Sequence, residues 1–147
     1  ERADNTLRLL DARYEMLGED IDEVDGRPAR SYYQWTALLR ALSSFEAFAE
    51  IYRGSPGTRK VSELLLLRAD VPRSLRACMD ELSLMLASLP GDNGRPAQRL
   101  AAELEARLRY TSIEEVLDEG LHAWLTDFIL LVRQLGQAIQ SSYLEVA

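Results

Sequence analysis

The sequence predicts an all-α fold, a bundle of five or six helices, on three observations. Apolar residues recur at spacings of three and four along nearly the whole chain, which is the period of one helix face. β-branched residues are sparse and no run alternates for long, so strand signals are nearly absent. Clusters of Gly and Pro interrupt the periodicity at a few places and divide it into helix-sized pieces. With 147 residues, 47% of them hydrophobic and 28% charged, the chain suits a single helical domain over 1–147. Such a domain buries a core without disulfides or metals.

With about 100° of rotation per residue, Ala3, Leu7, Leu10, Tyr14 and Leu17 fall on one stripe of a first helix. Gly18 and the acidic segment 19–25 should end it, and Gly26, Arg27 and Pro28 continue the loop. A second helix is expected over 31–53, with Trp35, Leu38, Leu39, Leu42, Phe45 and Ala49 inward, up to a turn at 54–57 that contains Pro56. A short third helix covers 61–67. Asp70 suits the N-cap of a fourth helix with Pro72 in its first turn. Its inward face is read as Leu75, Cys78, Met79, Leu82, Met85, Leu86 and Leu89. The segment 90–94 breaks the chain, and a fifth helix spans 96–110. Ser112, with Glu115 three residues on, makes a capping box for a long last helix whose apolar arc runs from Ile113 to Ile139. Gly120 and Gly136 fall inside helices in this reading, where glycine costs roughly 1 kcal/mol, and suggest close approach of neighbouring helices.

Charge and composition exclude several classes. A net charge of −7, with Lys60 the sole lysine, repels a phosphate backbone, so nucleic acid is not an expected partner. The apolar stretch 121–132 is interrupted by His122, Thr126 and Asp127 and is too short to span a bilayer. Cys78 stands alone, which rules out an internal disulfide and agrees with a reducing, cytoplasmic setting. Glu1 opens directly into helical periodicity, as expected of a piece of a longer protein. No Gly-rich phosphate loop and no Ser/His/Asp or Cys/His arrangement is present, and no cofactor is expected.

Four polar features depart from ordinary surface patterning. Glu1, Asp4, Arg8 and Asp11 form one charged stripe beside the apolar stripe of the first helix, either laced by ion pairs or able to hold a cation. Glu46 projects at the centre of the second helix's apolar arc, where a carboxylate must be paired, for instance with Arg73 or Arg53, be protonated, or face a pocket. Arg73 and Arg76 fall in the first turns of the fourth helix, where they and free backbone N–H groups suit an anionic ligand or the acids of the first helix. Glu119 and His122 have the Glu-x-x-His spacing of di-iron bundles, a weak metal signal because the further ligands are missing. Cys78 and the Met and Trp residues lie on core arcs and read as packing.

The segments Glu1-Arg2-Ala3-Asp4-Asn5-Thr6-Leu7-Arg8-Leu9-Leu10-Asp11, Gln34-Trp35 with Leu38-Leu39-Arg40, the stretch 44–52, Pro72-Arg73-Ser74 and Gly120-Leu121-His122 together resemble the bacterial alpha-E domain family, over essentially the whole chain. Val71 and Trp124 stand where the family pattern suggests Phe. The resemblance implies an all-helical fold and a chain corresponding to the second, C-terminal half of a two-repeat protein. It also implies association with circularly permuted ATP-grasp proteins in systems that form or process peptide amide bonds. Its motif residues map onto Glu1, Arg2, Asp4, Thr6, Arg8, Asp11, Trp35, Glu46, Arg73, Ser74 and His122.

The reading favoured is therefore an accessory, non-enzymatic helical domain acting with an ATP-grasp ligase. It would bind a partner, a peptide or a small anionic ligand in a polar cleft formed by Glu1, Asp4, Arg8, Asp11, Glu46, Arg73 and His122. The alternatives are an independent enzyme, using Glu119 and His122 with a metal or Glu46 as general base, and a purely structural interaction module.

Overall fold

In a computed structural model of the chain, which describes residues 1–17, 23–24, 27–28 and 30–144, the protein is all-α. Eight α-helices occur among the described residues: α1 (Arg2–Leu17), α2 (Arg30–Ala41), α3 (Phe45–Ile51), α4 (Thr58–Leu67), α5 (Leu75–Ser88), α6 (Arg95–Tyr110), α7 (Ile113–Glu119) and α8 (Leu121–Ile139). A π-helical turn, Gln140–Leu144, follows α8. Two-residue strands β1 (Glu23–Val24) and β2 (Arg27–Pro28) pair antiparallel between α1 and α2. The stop expected at Gly18 lies outside the described residues.

The core is organised around α1. Ala3, Thr6, Leu7 and Leu10 are buried along one stripe of it, as the three-and-four spacing requires, and the helix packs against α2, α4, α5 and α8. Trp35, Leu38, Leu39 and Leu42 close the core from α2 and the turn after it, and Val61, Leu64, Leu65 and Leu66 from α4. The face of α8 contributes Leu121, Trp124, Leu125, Phe128 and Leu135, with the Trp124 and Phe128 rings stacked at 4.9 Å. Fully burying one Leu or Phe of this set contributes about 1.5–3 kcal/mol relative to leaving it exposed.

The count exceeds five or six because two long helices are broken. The helix expected over 31–53 stops at Ala41, where Ser43 takes a left-handed φ of 52° and the Ser44 N–H donates to the Leu39 carbonyl at 2.7 Å. Chain direction and helical phase are reset before α3. Phe48 is then buried, whereas Ala49 and Glu46, expected inward, are exposed. The last long helix breaks at Gly120, which adopts φ 100° and ψ 121°, so it is a junction between α7 and α8 and not a helix interior. The expectation for Gly136 also fails, since it is exposed and a Cβ there would meet nothing within 4 Å.

Two further expectations are corrected near α5. Asp70 does not cap it, because Arg68 captures the Asp70 carboxylate through two bonds of 2.9 and 2.7 Å. Ser74 caps instead: its hydroxyl accepts from the Ala77 N–H at 3.0 Å and donates to the Arg68 carbonyl at 2.5 Å. Pro72 and Arg73 therefore precede the helix. The inward face of α5 is also narrower than the arc read from the sequence. Leu75, Met79 and Leu86 are buried and lie within about 40° of one another, while Met85 is about 100° away and is exposed, as are Leu84 and Leu89. The Ser112 signal holds, since its hydroxyl accepts from the Glu115 N–H at 3.2 Å at the start of α7, whereas Arg27 and Pro28, expected in a loop, form β2, and the helix expected over 61–67 begins a turn earlier, at Thr58.

The two glycines should respond to alanine with opposite signs. Gly120→Ala forces a side chain into a backbone region open almost only to glycine and should destabilise by about 1–3 kcal/mol. Gly136→Ala replaces glycine in an exposed helix with open space around it and should stabilise by about 0.5–1 kcal/mol. Chemical denaturation midpoints of the two variants check both signs.

Candidate functional site

The charged stripe of α1 meets two different neighbours along its length. Asp4 and Asp11 are two turns, or about 10 Å, apart on the helix axis, so the two ends of one stripe face different parts of the bundle.

At the first end, Arg8 Nε donates to Asp4 Oδ2 at 2.8 Å, an i,i+4 pair on the exposed side of the helix. The second carboxylate oxygen, Asp4 Oδ1, is shielded from solvent and has no donor among the described residues. Thr6, buried about half a turn along, donates its hydroxyl to the backbone carbonyl of Arg73 at 3.1 Å. That bond ties α1 to the turn preceding α5 and sets Arg73 beside Asp4 and Arg8. Glu1, Arg2, Asp4, Asn5, Arg8 and Arg73 together line a groove of about 520 Å³. Glu1 and Arg2 also line a second groove, of about 350 Å³, whose far wall is α5 with Cys78, Met79, Leu82 and Met85. Burial pushes the Cys78 thiol up from its ordinary range, which disfavours the thiolate.

At the second end, Asp11 and Glu15 face the first turn of α8. His122 Nδ1 lies 2.7 Å from Asp11 Oδ1 and 3.3 Å from Glu15 Oε1. The hydrogen bond to Asp11, reinforced by the negative charge of Asp11 and then of Glu15, raises the pKa of His122 above its ordinary 6.5. The expected companion of His122, Glu119, is exposed at the end of α7. The turn at Gly120 separates their helices, so the two do not share one helix face, and the group that gathers around His122 is Asp11 with Glu15.

The sequence contains one Glu-Arg dipeptide, Glu1-Arg2, and it forms part of the walls of both grooves. Residues 1–144 match the family model of Alpha-E, described as a predicted alpha-helical domain with a conserved ER motif. The chain belongs to the Alpha-E family. Similar curated proteins include an uncharacterized protein of Mycobacterium bovis and uncharacterized proteins of two Mycobacterium tuberculosis strains, each 35% identical over 98 residues. The matched segment is 63% of this chain and 11% of each relative, so the chain spans about a tenth of the length of the curated relatives it matches. No solved structure matches the chain.

Of the residues that the sequence grouped into one cleft in this Alpha-E domain, the structure brings Glu1, Asp4, Arg8 and Arg73 together. Asp11 and His122 form a separate cluster, and Glu46 lies in neither. Glu46 stands exposed in the first turn of α3, on a depression it shares with Arg40, Ser43 and Phe45, and has no ion pair among the described residues. The partner considered for it, Arg73, is in the α1 groove. Arg76 turns to Asp80 at 4.0 Å on its own helix. Sequence reasoning missed Arg2 and Asn5 as groove residues and Glu15 as a neighbour of His122. Glu15 carried a usable signal, since it follows Asp11 by four residues; Asn5 carried none, because its position depends on the turn before α5.

Two outcomes test this geometry. Thr6→Val keeps the shape but leaves the Arg73 carbonyl without its donor, and should cost about 1–3 kcal/mol in denaturant unfolding. For His122 the folded state holds the proton more tightly than the unfolded chain. Its stabilising contribution is thus fully present below the ordinary pKa of 6.5 and is lost as pH rises through the raised folded value. An NMR titration of this sole histidine should give a midpoint above 6.5, and His122→Gln should remove that part of the stability profile.

Proposed function

We propose that this Alpha-E domain is a non-catalytic binding domain that works beside an ATP-grasp amide or peptide ligase, holding a peptide segment or the partner itself in the groove of Asp4, Arg8 and Arg73. The observation that carries the reading is Asp4 Oδ1, a carboxylate oxygen with no donor among the described residues, set next to the guanidinium groups lining the same groove. A peptide supplies both complements. Its N–H suits the open carboxylate oxygen, and its carbonyl or terminal carboxylate suits Arg73 or Arg2 through charge-assisted bonds.

The groove lining contains no hydroxyl, thiol or imidazole that could serve as nucleophile or as a base poised near neutrality, which favours binding over chemistry. The overall negative charge steers the choice of partner away from nucleic acid. The ATP-grasp partnership itself rests on the context of the family, and with it the assignment of this chain as one of two related helical halves. A cytoplasmic location suits both that partnership and a lone, half-buried thiol. No helix among the described residues is long and apolar enough to cross a membrane.

Affinity capture of the full-length protein from its native cell tests the reading. Wild-type protein should recover an ATP-grasp protein, Asp4→Asn and Arg73→Ala should lose it, and Glu46→Gln, outside the groove, should retain it. Absence of any ATP-grasp protein from the wild-type capture, or its retention by both groove variants, would overturn the proposal.

A further inference from the structure

Asp11 and Glu15 lie one turn apart on α1, so their carboxylates project from the same side of the helix. The facing element is the first turn of α8, which packs along α1, so the bundle itself sets the spacing between the two helices. His122 projects from that turn with Nδ1 at 2.7 Å from one carboxylate and 3.3 Å from the other. Among the described residues, neither carboxylate has an arginine or lysine partner: Arg8 is taken by Asp4, and Arg13 is hydrogen-bonded to Gln34. Two negative charges therefore converge on a single imidazole nitrogen.

We propose that Asp11, Glu15 and His122 bind a divalent transition-metal cation of the Zn²⁺ class at the junction of α1 and α8. One ligand atom from each residue lies within 4.8 Å of the others. A tetrahedral cation with bonds of about 2.0–2.2 Å needs donors roughly 3–3.5 Å apart. The 3.3 Å separation from Nδ1 to Glu15 already lies in that range, the 2.7 Å separation to Asp11 is a few tenths of an ångström short of it, and rotation of the exposed Glu15 side chain sets the remaining distance between the two carboxylates. The donor set decides the class of cation. Calcium and magnesium take oxygen ligands, whereas one imidazole with two carboxylates selects a borderline ion such as Zn²⁺. The cation replaces the proton between Nδ1 and Asp11, so binding strengthens as pH rises. Three protein donors leave a coordination position open. His122 and Glu15 are both more than half exposed, so that position faces solvent and accepts water or a donor group from a bound partner.

The competing account is a simple clamp in which His122 bonds to Asp11 and takes no metal. Calorimetric titration of the protein with Zn²⁺, paired with the NMR signals of its sole histidine, separates the two. The expected result is one Zn²⁺ per chain at submillimolar affinity, with displacement of the His122 Nδ1 resonance. His122→Ala should abolish the binding, and Asp11→Asn should weaken it by at least the roughly tenfold that loss of a metal's outer-shell partner costs. Glu119→Gln should leave it unchanged. Because these side chains reach solvent, the variants should keep the helical circular-dichroism spectrum of wild type. Failure of wild-type protein to bind below millimolar Zn²⁺, or undiminished binding by folded His122→Ala, overturns the site and leaves the clamp.

Discussion

The burial of one face of α1 is the constraint on which the rest of the structure depends. Leu7 and Leu10 are fully enclosed, and Ala3 and Thr6 nearly so, because α2, α4, α5 and α8 all lean on that helix. A helix shared by four neighbours cannot rotate or slide without opening voids on several sides, and interiors packed to crystal-like density resist that. Fixing α1 therefore fixes the directions of its polar residues as well. Asp4 and Arg8 are carried to the turn before α5, and Asp11 and Glu15 to the start of α8, by the same rigid rod.

One polar atom lies within that apolar contact. Thr6 is buried on the stripe, and its hydroxyl reaches the Arg73 carbonyl across the α1–α5 junction. A partly buried carbonyl that loses its donor costs free energy, so the bond favours one register of the turn against α1. Ser74, the next residue, is equally buried and closes the turn through Arg68 and the N-terminus of α5. The Pro72-Arg73-Ser74 segment is thus held at both edges, and this is why the Arg73 side chain can be placed on the same groove as a carboxylate 69 residues earlier in the chain.

Breaks in the helices matter to the polar groups as much as the helices do. Ser43 and Gly120 both adopt positive φ, and each resets the helical phase for everything that follows. At Ser43 the reset turns Glu46 to solvent and Phe48 to the core. At Gly120 it parts His122 from Glu119 and delivers the imidazole to α1. Two polar centres of different character result: a mixed-charge groove suited to hydrogen-bonding a peptide, and a carboxylate-imidazole cluster suited to a cation.

The sequence by itself determined the all-α class, most helix boundaries, the stripe of α1 and the capping serine at position 112, because these depend on periodicity and on local signals within a few residues; the family followed from the resemblance of its motif segments, in order along the chain. It also showed that Glu1, Asp4, Arg8 and Asp11 share a helix face, since that follows from 3.6 residues per turn. Only the tertiary structure decided what that face meets. Arg73, His122 and Glu46 carried the same kind of signal in the sequence. Their fates diverged because the Thr6 bond, the turn at Gly120 and the turn at Ser43 act over distances that helical spacing does not encode. Local phase can be read along a chain only until the helix breaks. A left-handed residue such as Ser43, tolerated because its neighbours pack well, is settled by the whole core and not by the residues beside it.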